Sequence, residues 1–197
     1  MKTDIVLAGV GGQGILSIAA AIGMAALENS LHIKQSEVHG MSQRGGAVQS
    51  HLRISSNEIA SDLIPLGAAE LILSVEPMES LRYLPFLSEN GWVVTNIKPF
   101  INIPNYPKLE DVLKEIEKIP NSVLIDADKI AKEIGSLRAS NMVMLGASAP
   151  FLGIPYSSLE SGIKKIFGRK GAKVVEINLA ALEAGKKEAE SKKMNTA

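Results

Sequence analysis

The sequence predicts an α/β protein with a single Rossmann-like, doubly wound, mostly parallel sheet and helices on both faces. Short apolar runs alternate along the chain with helix-forming segments, the pattern of a parallel sheet that is covered on both sides. A glycine-rich turn also joins the first apolar run directly to the first helix-forming segment. A chain of 197 residues is most simply one domain. We expect that domain over residues 1–190, followed by a frayed tail at residues 191–197.

The first strand, first helix and second strand are expected within residues 4–38. Residues 4–9 form a short apolar run, which is typical of a buried parallel strand. Residues 13–28 are rich in Ala, Ile, Leu and Met and contain no proline, so they predict a helix packed on the sheet. Residues 31–38 alternate in polarity and predict the second strand.

Residues 47–54 alternate between two faces and predict a half-exposed strand. One face would carry Val48, Ser50, Leu52 and Ile54. The other face would carry Gln49, His51 and Arg53. We expect this strand to pair in a hairpin with residues 58–61 through a turn at residues 55–57. His51 and Arg53 would then extend a basic surface or face water.

The second half of the chain alternates shorter strands with helices. We expect strands at residues 71–75, 91–95 and 123–125, a loop at residues 99–107, and helices at residues 77–84, 109–118, 126–134, 142–152, 157–167 and 174–187. Glu76, Asp126 and Asp128 lie at predicted helix starts, where acids are favoured by the helix dipole. The small residues after Asn141 suit close helix contact within the fold or with another subunit, and the last ten residues are expected to fray.

The composition excludes several kinds of site and partner. Lys plus Arg equals Asp plus Glu at 21 each, so no global field favours nucleic acid or an anionic membrane. The chain has no cysteine, which excludes disulfides, cysteine-ligated iron–sulfur clusters and a thiol nucleophile. Its three histidines are too dispersed to predict a metal site. Neither a signal peptide nor a membrane span is expected, which predicts a soluble, cytoplasmic protein.

The glycine loop, residues 9–14, is the first candidate binding segment. Gly9, Gly11 and Gly14 follow the G-x-G-x-x-G spacing, Gly12 is a fourth glycine, and Gln13 stands at the helix start. Amides of such a turn and of the helix start can donate to phosphate oxygens. Alternatively, the glycines only permit close packing of strand and helix.

The second candidate segment is Ser42, Gln43, Arg44, Gly45 and Gly46. An arginine with nearby hydroxyl and amide donors could clamp a phosphate or carboxylate, although a turn with a solvated arginine is the alternative. Because ligands gather at the carboxyl ends of parallel strands, we expect both segments to share one crevice.

Glu37 stands near the position at which an NAD site carries an acid, about twenty residues after the glycines. The polar, glycine-punctuated stretch after it, and the lack of a hydride-transfer constellation, weaken that interpretation. His39 precedes Gly40 with no recognisable catalytic partner and is interpreted as a structural or interface residue.

Together, the two segments resemble the gamma-type domain of the thiamine diphosphate-dependent 2-oxoacid:ferredoxin oxidoreductases. The most specific stretch, Glu-Val-His-Gly-Met-Ser-Gln-Arg-Gly-Gly at residues 37–46, is similar to the small subunits of the indolepyruvate-specific branch. Relatives that act on pyruvate or oxoglutarate usually carry a Tyr-Gly-Pro-Glu-like run before the Arg-Gly stretch. The likeness extends over nearly the whole chain.

The resemblance implies a heteromeric complex that converts aryl pyruvates and coenzyme A to aryl-acetyl-CoA and carbon dioxide, and reduces ferredoxin. By the resemblance, a large alpha subunit would hold thiamine diphosphate and the iron–sulfur clusters. The lack of cysteine and of a Gly-Asp-Gly-type motif in this chain agrees with that division. The chain would have no catalytic or metal-binding residue and no activity alone. Its coenzyme A-side or subunit contacts would come from Gly9, Gly11, Gly12, Gln13, Gly14, Ser42, Gln43, Arg44, Gly45 and Gly46.

Two alternatives stay open. The glycine loop and Glu37 could belong to a free-standing NAD(P)-dependent enzyme, which nucleotide titration would test. A purely structural interaction subunit would instead use its glycines for packing. In that case Gly11→Ala or Arg44→Ala would weaken assembly without changing the Michaelis constant for coenzyme A.

Overall fold

The computed structural model describes residues 1–40, 45–101 and 103–194, whose six strands form one mixed sheet. The strand order is β2-β3-β1-β4-β5-β6. β1, β4, β5 and β6 run parallel, whereas β3 is antiparallel to both β1 and β2. The strands are β1 Lys2–Val10, β2 His32–His39, β3 Ala47–Ser55, β4 Ala69–Ser74, β5 Leu87–Asn96 and β6 Ser122–Ile125.

The described residues form seven α-helices, which cover both faces of the sheet. One layer contains α1 and α4 to α7, and the other contains α2 and α3. The predicted α/β class with helices on both faces is confirmed. The helices are α1 Ile15–Glu28, α2 Pro77–Arg82, α3 Leu109–Glu117, α4 Ala127–Glu133, α5 Ser140–Leu152, α6 Tyr156–Phe167 and α7 Ala172–Met194.

The central strand β1 is apolar because it is buried on both faces. Ile5 and Leu7 belong to the cluster that packs against α1 and α5, and Val6 and Ala8 belong to the cluster on the α3 side. Successive side chains of a strand point to opposite faces, so both layers need apolar partners here. This explains why β1 reads as a continuous apolar run.

The predicted hairpin between residues 47–54 and residues 58–61 is wrong. β3 is hydrogen-bonded along one edge to β1 and along the other to β2, so neither edge is left for a further strand. The strand is also more buried than expected, because it lies inside the sheet.

Both alternatives for His51 and Arg53, a basic surface or a face exposed to water, are also wrong. His51 is 6% exposed, and its Nδ1 accepts a hydrogen bond from the Ile64 amide at 2.9 Å. Arg53 forms an ion pair with the buried Asp4. Burial inside the sheet therefore gives both side chains partners within the fold.

The closing helix α7 extends to Met194, beyond the predicted end at residue 187. Its last turns pack on the sheet and on α5: the Lys192 ammonium donates to the Leu124 carbonyl at 2.6 Å, and the Lys193 ammonium lies 5.3 Å from the Trp92 ring centroid. Fraying therefore does not begin at residue 188. Residues 195–197 lie outside the described residues, and the domain limit at residue 190 stays a prediction.

Helices α5 and α7 pack with their backbones in direct contact. A Cβ added at Gly146 would collide with the Leu182 carbonyl, and one added at Gly185 would collide with the Val143 carbonyl. The close helix contact predicted for the small residues after Asn141 is confirmed within the fold. None of the helices in the described ranges is long and apolar enough to cross a membrane.

Candidate functional site

The glycine loop connects the end of β1 to the start of α1, as the sequence predicts. The Gln13 amide donates to the Val10 carbonyl at 3.2 Å and closes the turn. Gly12 and Gly14 have φ values of 102° and 83°, a backbone region that favours glycine. Gly14 precedes the first residue of α1, and no side chain caps this helix start. The loop therefore presents backbone amides at a positive helix end.

Gln13 links the ends of two parallel strands. Its Oε1 accepts from the Val10 amide at 2.7 Å, and its Nε2 donates to the Val75 carbonyl at 3.2 Å. Val75 follows β4 directly, so the carboxamide joins the ends of β1 and β4. Gln13 also lines a cavity of about 170 Å³ together with Asn96 and Asp128.

Close packing explains two of the loop glycines. A Cβ at Gly9 would collide with the Val75 side chain, and one at Gly14 would collide with Asn141. Asn141 also donates to the Gly14 carbonyl at 3.3 Å. Gly12 differs, because nothing lies within 4 Å of an added Cβ and the residue is exposed. Gly12 is therefore the loop glycine with open space for a ligand or a partner.

The segment between β2 and β3 meets the glycine loop. The Gly11 amide donates to the Gly46 carbonyl at 2.8 Å, and the Gly45 amide donates to the Gly11 carbonyl at 3.4 Å. This contact arises because antiparallel β3 starts beside the end of β1. Gly45 and Gly46 therefore lie beside the glycine loop, whereas a crevice shared by the two segments stays a prediction. The predicted residues Ser42, Gln43 and Arg44 lie outside the described residues.

A crevice of about 320 Å³ lies between the glycine loop and the end of β2. Its apolar wall comes from Val10, Ile15, Leu16 and Val48, and its polar side from Glu37 and His39. The His39 ring pairs with the Glu37 carboxylate, which is 12% exposed. The described residues of the crevice thus supply backbone donors and an apolar wall, and none of them is a lysine or an arginine.

Glu37 does not occupy the position of an NAD-binding acid. In the dinucleotide fold the strand that carries this acid lies next to β1. Here β3 lies between β2 and β1. The strand order therefore differs from that of the open NAD(P) alternative.

Glu76 caps a helix, as predicted, and also anchors a loop. Its Oε2 accepts from the Glu79 amide at 2.9 Å at the start of α2. Its Oε1 accepts from the Tyr106 hydroxyl at 2.5 Å and from the Phe100 amide at 3.3 Å. Burial, followed by the bond to Glu76, raises the pKa of Tyr106. No sequence pattern predicted this link, because Tyr106 and Phe100 follow β5 whereas Glu76 follows β4.

The predicted helix-start role of Asp126 is confirmed: its carboxylate accepts from the Lys129 amide at 3.0 Å. Asp128 lies in the same first turn, and burial raises its pKa, with the Asp126 charge adding to the effect. Within residues 1–40, 45–101 and 103–194, no three His, Asp or Glu side chains are placed to hold a metal ion.

Asn141 is a site residue that the sequence pattern did not reveal. It touches the glycine loop and lines two cavities, one beside Gln13 and one beside Ser17. Arg138 and Lys170 line the second of these cavities. Arg138 lies in the last turn of a short 3₁₀ helix at residues 137–139, where a basic residue is ordinary, so the sequence pattern did not single it out.

The sequence matches the family described as pyruvate ferredoxin/flavodoxin oxidoreductase over residues 4–188. The chain is 38% identical over 192 residues to the indolepyruvate oxidoreductase subunit IorB of Methanothermobacter thermautotrophicus, covering 94% of this chain and 96% of the relative. It is 35% identical to IorB of Archaeoglobus fulgidus, covering 94% of each chain.

Solved structures have the same fold. The 2-oxoglutarate:ferredoxin oxidoreductase of Magnetococcus marinus, solved with 2-oxoglutarate, coenzyme A and succinyl-CoA bound, aligns with a TM-score of 0.77 and 23% identity. The alignment covers 96% of this chain and 31% of that longer chain. The pyruvate oxidoreductase subunit PORC of Thermotoga maritima aligns with a TM-score of 0.70 and 24% identity, covering 93% and 94%.

The family match spans most of the chain, and the IorB relatives have nearly its length. The fold seen in the solved subunits agrees with this assignment. The chain therefore belongs to the pyruvate ferredoxin/flavodoxin oxidoreductase family and is a small subunit of a 2-oxoacid:ferredoxin oxidoreductase complex.

Proposed function

We propose that the chain is the small (beta) subunit of a thiamine diphosphate-dependent indolepyruvate:ferredoxin oxidoreductase. One observation carries the choice of substrate. Identity to IorB subunits of four archaea is 35–38%, whereas it is 27% to a ketoisovalerate oxidoreductase subunit VorA and to a 2-oxoglutarate synthase subunit KorC. The reaction releases carbon dioxide from an aryl pyruvate, joins the acyl group to coenzyme A, and passes two electrons to ferredoxin.

The cofactors are assigned to a large alpha subunit. Iron–sulfur clusters are held by cysteine thiolates, and this chain has no cysteine. Thiamine diphosphate supplies the carbanion chemistry of the decarboxylation when it is bound to the partner. Ferredoxin would receive electrons from the complex and not from this chain.

In this complex the chain would contact coenzyme A and the large subunit. The glycine loop offers backbone amides at the start of α1 and an exposed Gly12 beside a crevice of about 320 Å³. The apolar wall suits an uncharged ligand arm, and backbone donors suit its polar groups. Gly45 and Gly46 are hydrogen-bonded to Gly11 of this loop, which supports a joint role for the two candidate segments.

The test is reconstitution with the large subunit of an indolepyruvate:ferredoxin oxidoreductase, co-expressed with this chain. We expect the isolated chain to be inactive and the co-purified complex to reduce ferredoxin only when indolepyruvate and coenzyme A are both present. Pyruvate and 2-oxoglutarate are the control substrates and should react more slowly. Activity of the isolated chain, failure to associate, or preference for a control substrate would contradict the proposal.

A further inference from the structure

A second cavity lies on the helical face of the molecule, between α1, α5 and α7. Its volume is about 420 Å³, within the range of small-molecule sites. Ser17 of α1, Asn141 of α5 and Asn178 of α7 line it. We call it the α1–α5–α7 cavity. It is separate from the crevice at Glu37 and His39, with which it shares no lining residue.

Two cations line the α1–α5–α7 cavity without a neutralising acid. None of its described lining residues is acidic, while Arg138 and Lys170 both contribute to its wall. Neither side chain forms a salt bridge with another described residue, although Lys170 lies 5.3 Å from the Phe167 ring centroid. Glu176, in the same region of α7, lines a different cavity. The cavity therefore has two positive charges available to a ligand.

Three helix starts add to this positive potential. Ser17, Asn141 and Val174 lie in the first turns of α1, α5 and α7, and all three line the cavity. No side chain caps α1 or α5. Each such helix start carries a partial positive charge. Arg138 lies two residues before α5, so its charge adds to the positive potential at this helix start.

The apolar part of the cavity wall is suited to an organic group. Phe167, Val174 and Ile177 supply apolar surface, and the volume exceeds the need of a single inorganic anion. Asn178 is only 7% exposed; its Nδ2 donates to the Val174 carbonyl at 2.7 Å, which leaves Oδ1 without a partner among the described residues. That oxygen can accept from a hydroxyl or an exocyclic amine.

We propose that the α1–α5–α7 cavity binds the phosphate-bearing end of a nucleotide. Arg138 and Lys170 hold the phosphates, because the planar guanidinium donates two parallel hydrogen bonds and the ammonium adds a point charge. Phe167, Val174 and Ile177 contact the ring system. The nucleotide is either the 3′-phosphorylated end of coenzyme A or a free nucleotide. Only the first source rests on the proposed function.

Titration calorimetry on the full chain tests the site without any enzyme activity. The probes are adenosine 3′,5′-bisphosphate, ADP and inorganic phosphate. We expect Arg138→Ala to weaken nucleotide binding about tenfold or more, the usual effect of losing a charge-assisted pair of hydrogen bonds. Arg169→Ala is the matched control: Arg169 lies in the same turn as Lys170 but does not line the cavity. Lys170→Ala and Lys173→Ala form a second pair, since Lys173 lines another cavity.

The Michaelis constant for coenzyme A in the reconstituted complex separates the two sources. If the bisphosphate binds through Arg138 and Arg138→Ala also raises this constant, the occupant is the nucleotide end of coenzyme A. If ADP binds through Arg138 and the constant does not change, the occupant is a free nucleotide. Absence of nucleotide binding, or equal effects of Arg138→Ala and Arg169→Ala, overturns the proposal. The two proposals can also fail separately. If the nucleotide binds through Arg138 but the reconstituted complex does not accept indolepyruvate, the nucleotide site is supported and only the proposed function is refuted.

Discussion

Arg53 binds both carboxylate oxygens of Asp4 from the opposing position of the neighbouring strand. The two residues are register partners of the antiparallel β1–β3 pair. Arg53 Nε and Nη2 donate to Asp4 Oδ1 and Oδ2 at 2.8 Å and 2.9 Å. Asp4 is 1% exposed and also accepts from Lys2 at 2.9 Å, so its charge is buried but fully paired.

The first prediction concerns this pair. Asp4→Ala should lower the free energy of unfolding by about 3–5 kcal/mol, because it leaves the Arg53 charge without its buried partner. Lys2→Ala is the control and should cost about 1 kcal/mol or less, since Lys2 is half exposed. Urea unfolding of the two variants checks this. If both variants lower the free energy of unfolding by the same amount, the ion pair between Asp4 and Arg53 contributes no more than the one with Lys2.

The second prediction concerns stability against pH. Burial lowers the pKa of His51 below its usual 6.5, and the Arg53 charge lowers it further. The unfolded chain therefore takes up the proton first as the pH falls. The free energy of unfolding should be constant above the unfolded pKa and should decrease as the pH falls from about 6.5 towards the folded pKa.

Urea unfolding at about pH 7.5 and about pH 5.5 measures this effect. His51→Gln should reduce the loss of stability between the two pH values. His32→Gln, at an exposed position of edge strand β2, should leave the loss unchanged. A pH dependence that His51→Gln does not alter would refute the assignment.

The third prediction concerns the contact between α5 and α7. Gly146→Ala should destabilise the fold by about 3 kcal/mol, because the new methyl group must displace the Leu182 carbonyl. Gly168→Ala is the control, with open space around an added Cβ and a φ of −54°. Thermal unfolding should show a lower midpoint only for Gly146→Ala. A midpoint that Gly146→Ala leaves unchanged would mean that the helices can separate without cost.

The fourth prediction concerns the glycine loop. Gly12→Ala meets no neighbouring atom but disfavours the φ of 102°, so it should shift the loop while the fold persists. In the reconstituted complex we expect the Michaelis constant for coenzyme A to rise severalfold, with association unchanged. Gly67→Ala is the matched control, since Gly67 also has a positive φ and open space but lies before β4. Weaker association with an unchanged constant would favour the purely structural role instead.

Local features were predictable from the sequence because their causes are local. The turn from β1 into α1 follows from an apolar run, four glycines and a proline-free helix, and the helix starts at Glu76 and Asp126 follow from their carboxylates. Strand pairing was less predictable. The alternation of residues 47–54 fits any two neighbours, and only the folded chain shows that β1 and β2 are those neighbours.

The candidate sites also differ in how far the sequence predicts them. The meeting of Gly11 with Gly46 follows from two chain segments that end at the same edge of the sheet. The α1–α5–α7 cavity instead combines Ser17, Arg138 and Lys170 from three distant parts of the chain. No spacing rule connects such residues, and the bond from Tyr106 to Glu76 was hidden for the same reason.

The antiparallel strand β3 turns the connection after β2 into a hairpin loop whose two ends are fixed. The Gly40 amide donates to the Ala47 carbonyl at 2.8 Å, and the Gly46 carbonyl accepts from Gly11 at 2.8 Å. The paired residues of β2 and β3 set their register, and the bond from Gly11 joins the start of β3 to the glycine loop. A displacement of the glycine loop is therefore transmitted directly to the start of β3.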